Sequence, residues 1–144
     1  MATQSELDKA YIDISRRWAA MSKAQRLQVG CIIVKDNQII SDGFNGTPAG
    51  FSNDCEHENY NNEVLTLITK PEVLHAESNA LMKLARSTNS SIDATMYLTC
   101  APCFDCSKLI IQSGIKRVVF QDSYRCMNGV SLLKKAGVMV EQFL

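Results

Sequence analysis

The 144-residue chain is long enough for one domain with a hydrophobic core and too short for two comfortable ones. Its 15 basic and 15 acidic residues cancel, which removes the general attraction for phosphates that nucleic-acid-binding proteins use, so we expect no nucleic-acid polymer as a partner. Hydrophobic residues make up 46% and charged residues 21% of the chain, which is typical of folded globular proteins and argues against disorder.

The sequence also lacks the patterns of membrane and secreted proteins. No stretch approaches the roughly 20 apolar residues of a transmembrane helix, and we expect no membrane contact. The first residues, MATQSELDKAYIDISRRW, have no basic start followed by an apolar block. We therefore expect a single cytoplasmic domain over residues 1–144, in which the six cysteines favour metal binding or free thiols over disulfides.

The first half of the chain predicts one helix and one β-hairpin. Apolar residues at spacings of three and four indicate an amphipathic helix over roughly residues 5–21. β-Branched residues on both sides of Asp36-Asn37 predict two strands joined by a turn within residues 29–43. Residues 44–70 are rich in Gly, Pro, Asn and Ser and lack periodicity for about half their length, so we expect a long connection that carries binding residues.

The second half alternates helices with strands. Such alternation implies parallel strands with helical crossovers on the faces of one sheet, that is, a layered α/β domain. The predicted elements are a helix from just after Pro71 to about Arg86, a strand at 94–100, a helix from about Cys103 to Gln112, a strand at 117–121, a helix ending at Gly137 and a strand at 138–143.

Two cysteines and a histidine have the spacing of metal ligands. Cys103 and Cys106 lie at the start of a predicted helix, where a spacing of three places both sulfurs on one side, about 60° apart. Pro102 suits a helix start, and the helix dipole favours thiolates there. His75, at the head of another predicted helix, supplies a third ligand. Three protein ligands leave one position of a tetrahedral zinc open, as in catalytic sites.

A glutamate, Glu77, follows His75 by two residues. Residues two apart on a helix diverge by about 200°, so both face one metal only at the opening turn of the helix. There Glu77 would lie beside the metal without binding it. Two alternatives stay open: Cys-x-x-Cys alone fits a redox pair, and a structural zinc site would need a fourth ligand. The nearest candidate for that ligand, Cys100, is expected to be a small core residue.

Together, His75-Ala76-Glu77 and Pro102-Cys103-x-x-Cys106 form the signature of zinc deaminases. Further motifs spread over nearly the whole chain are GFNGTPAGF (43–51), HAESNAL (75–81), MYLT (96–99) and KLIIQSGIKRVVF (108–120). On these motifs the chain resembles the cytidine-deaminase-like superfamily and, within it, the deoxycytidylate (dCMP) deaminases. The resemblance implies a three-layer α/β/α sandwich around a five-stranded mixed sheet, with an N-terminal helix and hairpin followed by parallel βα units. It also implies zinc-dependent deamination of dCMP to dUMP for thymidylate synthesis.

The resemblance further implies roles for single residues. His75, Cys103 and Cys106 would hold one zinc ion, and Glu77 would carry protons between water, N3 of cytosine and the leaving amino group. The implied substrate-binding residues are Ala76, Asn45 at the sugar, Tyr124 stacked near the substrate, and Arg26 and Lys23 at the phosphate. Purely structural roles remain open as alternatives to substrate binding, namely a turn residue for Asn45, an exposed loop aromatic for Tyr124 and solvated charges for Arg26 and Lys23.

Regulation and assembly are implied in the same way. Many dCMP deaminases are homohexamers activated by dCTP and inhibited by dTTP, and the resemblance implies effector contacts at Gly43, Asn45, Gly46 and Thr47. These small residues serve equally well as a tight turn.

A second, structural zinc is present in several dCMP deaminases, but we do not expect it here. The stretch before the first strand holds Ala24 and Gln25 where a cysteine would be needed. Cys55 and His57 therefore lack one partner.

Other functions stay open. Within the same chemistry, the alternative substrates are dCTP, cytidine or cytosine, and tRNA adenosine, although the zero net charge and the GFNGTP loop argue against tRNA. A catalytically silent zinc-binding module or nucleotide sensor is the non-enzymatic alternative. Glu77 argues against it, because a purely structural zinc site has no use for a carboxylate that is not a ligand.

Overall fold

The computed structural model describes all 144 residues and contains four helices and seven strands. In chain order these elements are α1 (Gln4–Ala19), β1 (Gly30–Lys35), β2 (Gln38–Phe44), β3 (Glu56–Asn61), β4 (Val64–Thr69), α2 (Ala76–Ala85), β5 (Thr95–Cys100), α3 (Phe104–Gln112), β6 (Arg117–Asp122), α4 (Asn128–Lys135) and β7 (Met139–Gln142).

Five of the strands form one mixed sheet in the order β2-β1-β5-β6-β7. β1 runs antiparallel to β2 and to β5, whereas β5, β6 and β7 are parallel. The predicted N-terminal hairpin, formed by β1 and β2, and the parallel βα units after it are confirmed. Of the two helices that begin at the predicted metal ligands, α3 connects β5 to β6, and α2 lies between the β3–β4 hairpin and β5.

The side chains of β1 alternate between two hydrophobic cores. Cys31 and Ile33 pack with residues of α2, α3 and α4, whereas Ile32 and Val34 pack with residues of α1 on the opposite face. This alternation follows from the two-residue period of a strand. The molecule therefore has three layers, and the predicted α/β/α sandwich is confirmed.

Helix α1 begins at a capping box. The Thr3 hydroxyl accepts a hydrogen bond from the Glu6 N–H, and the Glu6 carboxylate accepts one from the Thr3 N–H, so two backbone donors at the helix start are satisfied. The helix ends at Ala19, two residues before the predicted limit. None of the four helices combines the length and the apolar composition that crossing a membrane requires.

The long connection predicted over residues 44–70 is wrong for its second half, where β3 and β4 form a hairpin. Asn62 and Glu63 make its turn with left-handed φ values of 51° and 65°. Both faces of the hairpin are largely exposed. Because neither face has to be apolar, the strands lack the alternation by which strands are recognised in a sequence.

Helix α2 begins later than predicted, at Ala76 instead of just after Pro71. Leu74 and Gly46 exchange two backbone hydrogen bonds of 2.8 and 3.0 Å, which hold the preceding segment extended. The consequence is that His75 becomes the residue that caps the helix.

A buried charge network ties α1 to the sheet on the face away from α2. The Arg117 guanidinium donates to both carboxylate oxygens of Asp8 at 2.9 and 2.7 Å and also to Glu141. The Tyr97 hydroxyl donates to Asp8 at 2.6 Å. Each charged group in the network has a partner, as burial of a carboxylate requires.

Candidate active site

The structure brings His75, Cys103 and Cys106 together. Nδ1 of His75 lies 3.2 Å from Sγ of Cys106 and 3.6 Å from Sγ of Cys103. The candidate ligand atoms of the three residues all lie within 4.8 Å of one another. It is the one group of three metal-binding side chains that the structure assembles in this way.

Two of these residues cap helices, and this explains their convergence. His75 and Cys103 have extended backbones, with ψ of 158° and 171°, immediately before α2 and α3. A side chain in the capping position points past the helix end, as predicted for the opening turn of α2. Cys106, one turn into α3, donates its backbone N–H to the Cys103 sulfur over 3.5 Å and so fixes the first cysteine beside the second.

A glycine of α4 allows close packing behind Cys103. A Cβ atom at Gly129 would lie 2.4 Å from the carbonyl oxygen of Pro102 and 2.7 Å from the carbonyl carbon of Cys103. No real Cβ atom tolerates such contacts with backbone. The start of α4 therefore supports the loop that presents Cys103, and only glycine fits at position 129.

The donor set fits zinc. Two thiolate sulfurs and one imidazole nitrogen are the ligands that zinc prefers, and two such ligands on a tetrahedral ion lie about 3.5 Å apart. The nitrogen–sulfur distances of 3.2 and 3.6 Å bracket this value. With three protein ligands, a fourth position faces away from them, as in catalytic zinc sites.

The electrostatics of the cluster also suit a cation. Hydrogen bonds from the Cys106 thiol and from His75 lower the pKa of Cys103 to about 4. The hydrogen bond between Cys106 and Cys103, together with burial, raises the pKa of Cys106. The hydrogen bond between His75 and Cys103 raises the pKa of His75. One of the two sulfurs is thus a thiolate at neutral pH, which is the form that binds metal.

Glu77 lies in the first turn of α2 and is buried, with 4% of its surface exposed. Burial raises the pKa of its carboxyl. It lines the same cavity as His75 and Cys103, yet it does not belong to the group of three ligand atoms. A carboxyl beside a metal site that is not itself a ligand is available for proton transfer.

The cavity that holds these side chains has a volume of about 460 Å³, within the range of small-molecule sites. Its inner wall includes Thr99, Cys100 and Ala101 at the end of β5, and Asp122 at the end of β6. The cavity therefore opens at the carboxyl ends of the parallel strands, the usual position of ligand sites in α/β sheets. Cys100 is buried, as expected, and burial raises its pKa to about 11, but it lines the cavity and belongs to neither hydrophobic core cluster.

Most of the predicted substrate-binding residues line this cavity, namely Arg26, Asn45, Ala76 and Tyr124. Lys23 is exposed and does not line it. Asn45 already makes two backbone bonds: its Oδ1 accepts from the Val29 N–H at 2.9 Å, and its Nδ2 donates to the Leu27 carbonyl at 2.7 Å. It fixes the segment between α1 and β1 as part of the cavity wall.

Sequence reasoning missed one cation at the cavity, Arg125. Its guanidinium lies 5.4 Å from the ring centroid of Tyr124, a cation–π distance, and both side chains line the cavity. Arg125 directly follows Tyr124 in the loop after β6. Its position beside a predicted substrate-binding residue is the sequence signal that could have identified it.

Of the four tentative effector residues, only Asn45 lines the cavity. Gly43 lies against α2, where a Cβ would meet the Ala76 carbonyl oxygen at 2.6 Å. Gly46 pairs with Leu74, and the Thr47 hydroxyl donates to the Ser52 carbonyl. Gly43 belongs to β2 and Gly46 to a bridge, so this segment is extended, and the chain turns only at Ala49-Gly50.

The region of Cys55 is held together by hydrogen bonds. The Cys55 thiol donates to the Asn53 carbonyl at 3.6 Å. The backbone N–H of Gln25 donates to both oxygens of Glu56 at 2.9 Å. His57, on β3, is exposed.

A His/Cys/Cys cluster at two helix starts with a buried glutamate beside it is typical of zinc deaminases of nucleobases. The family model described as "Cytidine and deoxycytidylate deaminase zinc-binding region" matches residues 5–122. The chain therefore belongs to the cytidine and deoxycytidylate deaminase family.

Relatives with known names agree with this family. Deoxycytidylate deaminase of Schizosaccharomyces pombe is 34% identical over 142 residues, covering 95% of this chain and 44% of the relative. The Homo sapiens deoxycytidylate deaminase is 36% identical over 132 residues, covering 88% and 73%. The chain spans less than half the length of the S. pombe relative.

The fold is similar to that of a solved enzyme structure. The dCMP deaminase from the cyanophage S-TIM5, in complex with dCMP and dUMP, superposes with a TM-score of 0.87 at 38% identity, covering 99% of this chain and 100% of the other. This likeness over both full chains confirms the cytidine-deaminase-like fold.

Proposed function

We propose that the protein hydrolyses dCMP to dUMP and ammonia and so supplies dUMP for thymidylate synthesis. The observation that carries the proposal is the buried Glu77 carboxyl, which lines one cavity together with His75 and Cys103 of the metal cluster. The named relatives and the dCMP complex of the S-TIM5 enzyme support the choice of dCMP among cytosine compounds.

One zinc ion is the proposed cofactor, held by His75, Cys103 and Cys106. When bound there, zinc supplies an activated water molecule and stabilises negative charge. The two nitrogen–sulfur separations of the cluster, 3.2 and 3.6 Å, support this proposal because they are close to those of a tetrahedral site.

Glu77 is the proposed proton carrier. It passes a proton from water to N3 of cytosine as the new C4–O bond forms. It then passes the proton of the new C4 hydroxyl to the amino group as the C4–N bond breaks and the C4 carbonyl forms. The amine leaves as ammonia, and the ring becomes uracil. Burial of Glu77 keeps this exchange away from bulk solvent.

The rest of the cavity is proposed to bind the nucleotide. Asn45 contacts the sugar with the amide hydrogen that its backbone bonds leave free, Tyr124 stacks near the substrate, and Ala76 forms the wall beside the base. Arg26 attracts the phosphate, and we add Arg125 as a second cation at the same mouth. Lys23 would act only at longer range.

Regulation by dCTP and dTTP, through the segment Gly43–Thr47, and assembly as a homohexamer are further proposals drawn from the family resemblance. A cytoplasmic location is part of the same proposal. A single ion per chain and a single domain over residues 1–144 complete the proposal.

The test is a substrate panel on purified protein with a parallel zinc assay. Ammonia release and loss of cytosine absorbance are followed with dCMP, CMP, dCTP and deoxycytidine, each with and without dCTP or dTTP, and with an RNA hairpin carrying adenosine. Protein with Glu77→Ala, purified in the same way, controls for contaminating deaminases.

We expect dCMP-selective turnover with about one zinc per chain. Zinc-loaded protein that releases no ammonia from any nucleotide would overturn the proposal in favour of a silent module, and selective turnover of the RNA would overturn it in favour of an RNA deaminase.

A further inference from the structure

We propose that Glu56 and Thr69, at the base of the β3–β4 hairpin, are positioning residues that hold Arg26 for the phosphate of the substrate. The inference rests on the proposed function, in which Arg26 meets that phosphate. It gives a role in substrate selection to a hairpin that pairs with no strand of the main sheet.

The geometry of the hairpin base carries the inference. Glu56 and Thr69 are direct partners across the β3–β4 ladder. They bind two consecutive residues of the segment before β1: Glu56 accepts from the Gln25 N–H with both oxygens at 2.9 Å, and the Thr69 hydroxyl accepts from the Arg26 guanidinium at 3.1 Å. Of these residues, Arg26 and Thr69 line the cavity. One cross-strand pair therefore fixes both the backbone before Arg26 and the end of its side chain.

Glu56 differs from the other carboxylates of the hairpin in its burial. It is 4% exposed, whereas the remaining residues of β3 are exposed to solvent. A carboxylate is costly to bury and makes a stronger bond to a backbone N–H than a neutral acceptor does. Its placement against the irregular segment before β1 makes that segment rigid at the point where it reaches the cavity.

The rest of the segment between α1 and β1 is held by other side chains. Asn45 binds the Leu27 carbonyl and the Val29 N–H, and Gln28 donates to the Ser22 carbonyl. Only the stretch around Gln25 and Arg26 depends on the hairpin. A loss at the hairpin base should therefore move Arg26 while the catalytic cluster stays in place.

This separation gives a specific kinetic expectation. Arg26 is exposed and has a flexible side chain, so without the Thr69 hydroxyl it samples many rotamers. The entropic cost of ordering the side chain then reduces the free energy of binding the phosphate. The effect falls on binding of a substrate that carries phosphate. Deoxycytidine, which lacks the phosphate, should not sense the change.

The experiment compares steady-state kinetics on dCMP and deoxycytidine for Glu56→Ala, Glu56→Gln, Thr69→Val, Arg26→Ala and the double variant Arg26→Ala/Thr69→Val. Matched controls on the same hairpin are Glu58→Ala, an exposed carboxylate bonded only to the Tyr60 hydroxyl, and Thr66→Val, whose hydroxyl binds Asn59 within the hairpin. Zinc content and thermal unfolding are measured for each variant.

We expect Glu56→Ala and Thr69→Val to raise KM for dCMP about tenfold with kcat almost unchanged, and to leave kcat/KM for deoxycytidine within about twofold. Glu56→Gln keeps an acceptor and should recover most of the loss. The double variant should be no worse than Arg26→Ala alone, because the Thr69 hydroxyl acts through that arginine. The two controls should match the wild type.

Equal losses on both substrates, or an unchanged KM for dCMP, would overturn the inference. Thr69→Val decides the matter by itself where Glu56→Ala fails to fold. Wild-type protein without turnover of dCMP would instead overturn the proposed function, and the inference with it, so the two failures are distinguishable.

Discussion

Nδ1 of His75 lies 3.2 Å from Sγ of Cys106, although 31 residues separate them in the chain. The contact joins the start of α2 to the first turn of α3. An ion held at this point connects two helices that otherwise touch through their apolar faces.

Loss of a ligand should therefore remove the metal. We expect Cys106→Ser to lower zinc affinity by more than about 100-fold, because loss of a partner outside the ligand set alone costs 10–100-fold. Zinc per chain, measured by atomic emission after gel filtration, should fall from about one to near zero.

The matched control is Cys126→Ser, since this cysteine is exposed and lies outside the cluster. It should keep the full zinc content. Retention of zinc by the Cys106 variant would contradict the assigned ligand set.

Glu77→Gln should separate metal binding from turnover. The amide has the size of the carboxyl but cannot carry a proton, so we expect zinc to stay bound while ammonia release from dCMP falls by about three orders of magnitude. The exposed Glu72→Gln, on the segment before α2, is the control and should remain active. Near-normal turnover of the Glu77 variant would rule out its proton-carrying role.

Gly129→Ala should disturb the metal centre by displacing the loop that presents Cys103. A methyl group there overlaps the Pro102 carbonyl oxygen and the Cys103 backbone, so either α4 or the Cys103 loop has to move. We expect weaker zinc retention during dialysis against a chelator and an altered absorption spectrum of the cobalt-substituted protein. Ser131→Ala, at an exposed position of α4, should change neither property.

Asp8→Asn should destabilise the fold without touching the cavity. The substitution leaves the buried Arg117 guanidinium with Glu141 as its only carboxylate partner, and breaking a buried ion pair on one side costs about 3 kcal/mol of unfolding free energy. Urea unfolding at pH 7 measures the change. Asp13→Asn, which breaks an exposed pair with Lys9, should cost less than about 1 kcal/mol.

The Asp8–Arg117 pair also predicts that the free energy of unfolding depends on pH. Burial raises the pKa of Asp8, but hydrogen bonds from Arg117 and Tyr97 outweigh burial and hold it below its ordinary value of 3.8. A folded-state pKa that is lower than the unfolded one adds stability above about pH 4, and this stability is lost as the pH falls through the lowered value. The difference in stability between wild type and Asp8→Asn should therefore shrink on acidification below pH 4. A constant difference would contradict the network.

The β1–β2 hairpin and the metal cluster could be predicted from the sequence because short-range patterns encode them. The turn formers Asp36-Asn37 between β-branched residues predict the hairpin, and the three-residue spacing of Cys103 and Cys106 follows from helix geometry alone. The pairing of His75 with the two cysteines required the additional expectation that both helices start on the same side of one sheet.

The β3–β4 hairpin and Arg125 could not be predicted in that way. The run VLTLIT of β4 has the composition of a strand, but its partner EHENYN is polar and exposed, so burial leaves no pattern. The role of Glu56 is equally invisible, since a buried glutamate can be recognised only once its partner, a backbone N–H 31 residues away, is known.

The hairpin turn at Asn62 and Glu63 offers an attachment point for labels. The hairpin base holds the cavity wall, but the tip is exposed and pairs with nothing beyond its own two strands. A dye on a cysteine introduced at position 62 would travel with the rigid ladder while leaving the zinc ligands untouched. Because the ladder is rigid, the fluorescence anisotropy of the dye would then report the tumbling, and hence the assembly state, of the whole protein.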